Sequence, residues 1–63
     1  MKLNGIDHPD FSGTVDQFVQ SLAIRREGIA VAVNETVVPK AQWDSFELQP
    51  NDKVLVIKAT QGG

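Results

Sequence analysis

The stretch NDKVLVIKATQGG, residues 51–63, decides the fold. Pro50, Asn51 and Asp52 supply turn chemistry, and Val54–Ile57 is an unbroken aliphatic run of strand length. Alternate side chains of a strand face opposite sides, so Val54 and Val56 are expected on one face and Leu55 and Ile57 on the other. The run then gives way to Thr60, Gln61, Gly62 and Gly63, too polar and too small to pack. The chain is therefore expected to divide into a folded body over 1–59 and a flexible tail over 60–63.

Working back from this strand, Phe46–Leu48 precedes the Pro50-Asn51-Asp52 turn and is expected to form a hairpin with Val54–Ile57. The segment GIAVAVNETVVPK holds two further strand-like runs, Ile29–Val33 and Thr36–Val38, separated by Asn34-Glu35. Pro39 closes the second because it has no N–H to give to a ladder. At the front, Asn4-Gly5 is the strongest two-residue hairpin signal in the chain and predicts pairing of Met1–Leu3 with residues near Ile6–His8.

Between the hairpins lies TVDQFVQSL, Thr14 to Leu22. Val15, Phe18, Val19 and Leu22 recur at i, i+3, i+4 and i+7, one apolar helical face, with Asp16, Gln17 and Gln20 toward water. Thr14 and Gln17 have the capping-box spacing. Arg25-Arg26 is expected to place favourable charge at the helix C-terminus, and Gly28 to take a left-handed conformation after it. One helix on one face of a small mixed sheet is an economical α+β solution. Laying the last strand parallel to the first, through the helix crossover, puts both at the sheet centre. That arrangement is the β-grasp, or ubiquitin-like, fold.

Composition narrows the function. The chain has 63 residues, eight acids against six bases, a net charge of −2 and no cysteine. The scattered charges offer no nucleic-acid footprint, which needs clustered Lys and Arg. No disulfide or thiolate chemistry of its own is available. No apolar run approaches membrane-spanning length and MKLNG lacks a signal-peptide core, so a cytoplasmic protein without membrane contact is expected. The only histidine, His8, precedes Pro9 and reads as an exposed turn residue. Neither His8 nor any serine sits in a catalytic or metal-ligand pattern. Asp44 and Glu47 read as solvated, and the five dispersed glycines make no phosphate loop. A domain this small is also expected to lack a recess on the ligand-pocket scale of ~300–1,000 Å³. The chain is accordingly not read as an enzyme.

Two features remain. Leu55 and Ile57, on a face without a helix, have two open readings: neighbouring strands and long side chains cover them, or they form part of an apolar docking patch. The Gly62-Gly63 end has no Cβ to obstruct a narrow channel, so it can deliver a terminal carboxylate to a remote active site. Trp43 reads as a structural plug over the sheet end.

The segments AVAVNETVVPKAQW and NDKVLVI, with the terminal GG, resemble the small sulfur-carrier proteins of thiamine biosynthesis, the ThiS family of the β-grasp group. The resemblance covers essentially the whole chain, and the Val-Pro-x-x-x-Trp spacing carries more of it than Gly-Gly alone. It implies a protein co-substrate with no bound cofactor. An activating enzyme using ATP and Mg²⁺ would adenylate the Gly63 carboxylate, and a persulfide sulfur donor would convert it to a thiocarboxylate. Thiazole synthase would receive the sulfur for the thiazole ring. Gly62 and Gln61 would present the tail, Leu55 and Ile57 would meet the partners, and the free carrier would be a monomer. A molybdopterin-type sulfur carrier, a ubiquitin-like modifier of lysines and a plain interaction module are the competing readings.

Overall fold

The computed structural model describes residues 1–58. Seven strands and one α-helix follow in order: β1 Lys2–Leu3, β2 Ile6–Asp7, β3 Gly13–Thr14, α1 Val15–Ser21, β4 Ile29–Val33, β5 Thr36–Val38, β6 Glu47–Leu48 and β7 Lys53–Lys58. A 3₁₀ turn, Lys40–Gln42, follows Pro39.

Five strands form one sheet in the order β2-β1-β7-β4-β5. The first and last strands lie side by side and parallel, with Lys2 opposite Lys53 and Leu3 opposite Val54. This is the central pair expected of the β-grasp. Both predicted two-residue turns form. Asn4 and Gly5 have φ of 53° and 80°, and Asn34 and Glu35 have 52° and 71°. Paired positive φ values match the right-handed twist of the flanking strands. Glu35 is strained there, but Asn34 secures the turn: its Oδ1 accepts from Lys53 N–H at 3.0 Å, and its Nδ2 donates to Asp52 Oδ1 at 3.0 Å.

The helix begins as its sequence dictates. Gln17 N–H donates to Thr14 Oγ1 at 3.2 Å, and Thr14 N–H donates to Gln17 Oε1 at 2.9 Å, closing the capping box. Two more free amides of the first turn, Val15 and Asp16, donate to Phe46 and Trp43 carbonyls at 2.9 and 3.0 Å. Gly13 must be glycine: at φ 151° a Cβ would stand 2.5 Å from Gln17 Oε1 and 2.8 Å from Phe11 Cε2.

The core lies between α1 and the sheet. Val15, Phe18 and Val19 from the helix meet Val31, Val33, Val38 and Val54 from the strands, and Trp43 and Leu48 close the end. Trp43 is buried and its Nε1 donates to Val38 O at 2.9 Å, so the expected plug is in place.

Three expectations are corrected here. β6 does not pair with β7; it pairs antiparallel with β3, Gly13 opposite Leu48 and Thr14 opposite Glu47, as a separate two-stranded sheet. A strand has only two edges, and β1 and β4 already occupy both edges of β7. The basic pair does not flank the helix end: the last turn of α1 holds no basic residue, and Arg26 reaches back to Asp16 Oδ1 at 3.2 Å. Gly28 is left-handed at φ 74° as expected, turning the chain into β4, and Ala23, φ 56°, takes an earlier left-handed position just after the helix. His8 is half-buried, its ring edge-on to Phe18 at 5.5 Å, and not a free turn residue.

Candidate functional site

Of the predicted site residues, Leu55 and Ile57 lie on β7. Valine at 54 is 2% exposed and packs under α1, while Leu55 and Ile57 point to the opposite face and remain 45% and 49% exposed. No helix covers that face among the described residues. The alternation expected for the strand therefore holds residue by residue. Asp44 and Glu47 are exposed, as read from the sequence.

The patch is wider than its two predicted members. In the antiparallel register Leu55 faces Ala32 and Ile57 faces Ala30, and Ala32 in turn faces Val37, which is 66% exposed. Cross-strand partners share a face, so Val37, Ala32 and Leu55 form one apolar row across three strands. The small Ala32 sets this row low between larger neighbours, and a depression of about 350 Å³ opens beside Ala32 and Leu55. The sequence did carry a signal for Val37. A two-residue turn at Asn34-Glu35 fixes Val37 opposite Ala32, on the face away from Val31 and Val33.

Lysines border the patch. Lys2 and Lys53 are partners in the parallel ladder, and Lys2 Nζ is bound to Asp7 Oδ1 at 2.6 Å. Exposed pairs of this kind add little to stability, so the charges mainly set the character of the rim.

The strand is held firmly at its start and lightly at its end. Asn34 N–H donates to Lys53 O at 2.8 Å, and the buried Asp52 carboxylate also accepts Gln49 N–H at 2.7 Å. On the β1 side, Asn4 N–H donates to Val54 O at 2.9 Å and Asn4 Oδ1 accepts Val56 N–H at 2.8 Å. β1 is two residues long, so the asparagine side chain stands in for a strand that has already ended. Beyond Val56 the ladder continues only with β4, where Lys58 faces Ile29.

A second recess, about 530 Å³, lies at this same end on the helix side. Both recesses fall within the ligand-pocket range, so the expectation that the domain lacks any is corrected; each opens onto the surface and neither brings catalytic groups together. Among the described residues no three His, Asp or Glu side chains gather as a metal site, and no helix is long and apolar enough to cross a membrane. Gln61, Gly62 and Gly63, the predicted tail-presenting and modified residues, lie outside the described residues, as does the boundary at 59–60.

Comparison with known proteins gives a consistent result. The model of the ThiS family matches residues 2–63. The sulfur carrier protein ThiS of Escherichia coli (strain K12) is 34% identical over 50 residues, covering 79% of this chain and 76% of that protein. The crystal structure of the thiamine biosynthesis protein ThiS from Geobacter metallireducens superposes with a TM-score of 0.82 at 21% identity, covering 98% of this chain and 96% of that one. At that identity the superposition establishes the β-grasp fold and nothing finer.

Proposed function

The chain belongs to the ThiS family, and from that premise we propose that it is a sulfur carrier for the thiazole ring of thiamine, a protein co-substrate and not itself a catalyst. The observation that carries the reading is the reach of the family match, residues 2–63, which takes in the terminal Gly62 and Gly63.

The chemistry needs a partner at each step. A carboxylate, ionised well below neutral pH, is a poor electrophile. An activating enzyme with ATP and Mg²⁺ joins the Gly63 carboxylate to the α-phosphate and releases pyrophosphate, leaving an acyl-adenylate. The terminal sulfur of a persulfide donor attacks the acyl carbon and AMP departs. A thiol then cleaves the resulting acyl disulfide, releasing Gly63 as a thiocarboxylate and leaving the disulfide on the donor side. Thiazole synthase takes the sulfur from the carrier. These partners place the work in the cytoplasm, with the carrier monomeric between encounters.

Two features support this. The chain has no cysteine, so it holds no thiol to divert the activated acyl group. Gly62 and Gly63, with Gln61 before them, suit a narrow channel. On this reading, docking of the body through Leu55 and Ile57 would make the tail reaction effectively intramolecular.

The test is an intact mass of the protein after incubation with its activating enzyme, ATP, Mg²⁺ and a persulfide donor. A gain equal to one sulfur replacing one oxygen, mapped by fragmentation to Gly63, is expected. An unchanged mass, or lysine-linked conjugates in its place, defeats the carrier reading.

A further inference from the structure

The recess on the helix side of β7 has a composition that the docking patch does not explain. Its floor is apolar, built by Ile24, Ile29 and Val56, and its rim carries Arg25, Lys58 and the single acid Glu27. Ile24 is 41% exposed and adds to the apolar surface that Ile29 and Val56 present in the groove. Arg26 is tied to Asp16, but Arg25 and Lys58 form no ion pair among the described residues. The rim thus holds two cations against one carboxylate in a chain whose net charge is −2.

Building on the carrier reading above, we propose that this groove is a second grip for the activating enzyme, taking an acidic apolar segment of it. A large aliphatic or aromatic side chain of that segment seats on Ile24, Ile29 and Val56, and a neighbouring carboxylate faces Arg25 and Lys58. The position argues for it. Lys58 is the last residue of β7 and lines the groove, and Gly63 is five residues further on. Five extended residues span at most about 16–18 Å. An enzyme that brings the Gly63 carboxylate to its ATP must therefore open its channel within that distance of Lys58. Its surface then lies close enough to the strand end to reach both Leu55 and Ile57 on one face and the groove on the other.

Charge selects the occupant. A basic segment would be repelled by the net-positive rim, and a second copy of this chain would set two such rims against each other. An acidic segment gains attraction that rises as the apolar contact excludes water. Neither Ile24 nor Arg25 belongs to the core, so both can be changed without touching it.

The experiment measures pyrophosphate release by the activating enzyme with the carrier as varied substrate, for the wild type, Ile24→Asp and Arg25→Glu. Each variant is first shown to melt like the wild type. KM for the carrier is expected to rise about five-fold or more in each, with kcat within about two-fold, because the contact is made in binding and not in the reacting atoms. Added salt is expected to raise the wild-type KM and to affect Arg25→Glu less. A photo-crosslinking side chain in place of Ile24 is expected to capture an enzyme peptide holding an acidic residue beside a large apolar one. Wild-type KM in both variants, or a crosslink to a second carrier, overturns the groove assignment while the carrier reading stands. Absence of pyrophosphate release from the wild type would bring down both.

Discussion

Asn4 and Val56, 52 residues apart, are joined by a 2.8 Å hydrogen bond from the Val56 amide to the asparagine side chain. The same asparagine occupies a turn position at φ 53°, which few residues accept without strain. It therefore does two tasks, and they can be separated. Asn4→Gly keeps the turn conformation open and deletes the acceptor. Amide exchange at Val56 should accelerate while Val54, inside the ladder, keeps most of its protection. The stability loss should be about 1 kcal/mol, since water can reach the freed amide. Asn4→Asp, which retains an oxygen, should lose less in both measurements.

Trp43 is the largest test of the core. It is buried, hydrogen-bonded to Val38, and lends its own carbonyl to the first turn of the helix. Trp43→Ala should cost roughly 3–5 kcal/mol. A chain of this size has a total of only about 3–9 kcal/mol, so that variant should be largely unfolded by circular dichroism. Trp43→Phe keeps most of the buried ring and loses the indole donor, leaving the Val38 carbonyl short of a partner. It should stay folded with a melting temperature lower by about 4–15 °C.

Much of this core was readable before any coordinates. The helix period, its capping box, and both tight turns are local signals, written in residues three or four apart or adjacent to one another. The alternation at 54–57 needed only strand geometry. What could not be read was decided by competition between distant segments. Phe46–Leu48 beside a Pro-Asn-Asp turn looks like half a hairpin, yet both backbone groups of Lys53 go to Asn34. The partner of β6 is instead a two-residue strand, β3, too short to carry any period of its own. Arg26 likewise finds Asp16 through a chain reversal that no sequence spacing announces. In the site, Leu55 and Ile57 were legible from alternation, whereas the groove under Ile24 arises where an irregular segment crosses the sheet end.

Acid should reveal a small contribution from the N-terminal segment. The Met1 ammonium donates to Asp10 Oδ1 at 2.6 Å, and that hydrogen bond, then the charge attraction, holds the Asp10 carboxyl below its ordinary range. A folded-state pKa below the unfolded one adds stability that is present above the unfolded value, about 3.9, and is lost as pH falls through the folded one. Asp10→Asn should therefore melt slightly earlier than the wild type at neutral pH, with the difference closing in strong acid. High salt should narrow it as well, because the Asp10 carboxylate is exposed. An N-terminal extension that removes the Met1 ammonium should erase most of the difference, leaving the smaller share from the Asn51 backbone hydrogen bond.

Leu55 and Ile57 offer a contrast between binding and folding within one strand. Glutamate at either position projects from a face already half open to water, so the melting temperature should move by no more than a few degrees. Affinity for the activating enzyme should nevertheless fall about ten-fold or more, because a carboxylate would be buried against an apolar partner surface. Val54→Glu, one residue away and facing the core, should unfold the chain. Titration calorimetry paired with thermal melts distinguishes the three. Unchanged affinity in both Leu55→Glu and Ile57→Glu would remove the patch from the docking surface.

The sharpest demand falls on the last residue. If Gly63 supplies the reacting carboxylate, a side chain there meets the walls of a channel shaped for glycine, and any residue added after it moves the carboxylate out of register with ATP. The folded body should not notice either change, since its core is complete by Val54. Gly63→Ala and a one-residue C-terminal extension should thus melt like the wild type, bind the activating enzyme within a few-fold through the body, and lose adenylation by about 100-fold or more, the scale of a misplacement of about 1 Å. The pattern matters more than either number. Loss of adenylation together with loss of binding would point to a damaged docking surface. Adenylation retained in the extended chain would mean that the reacting carbonyl is not that of Gly63.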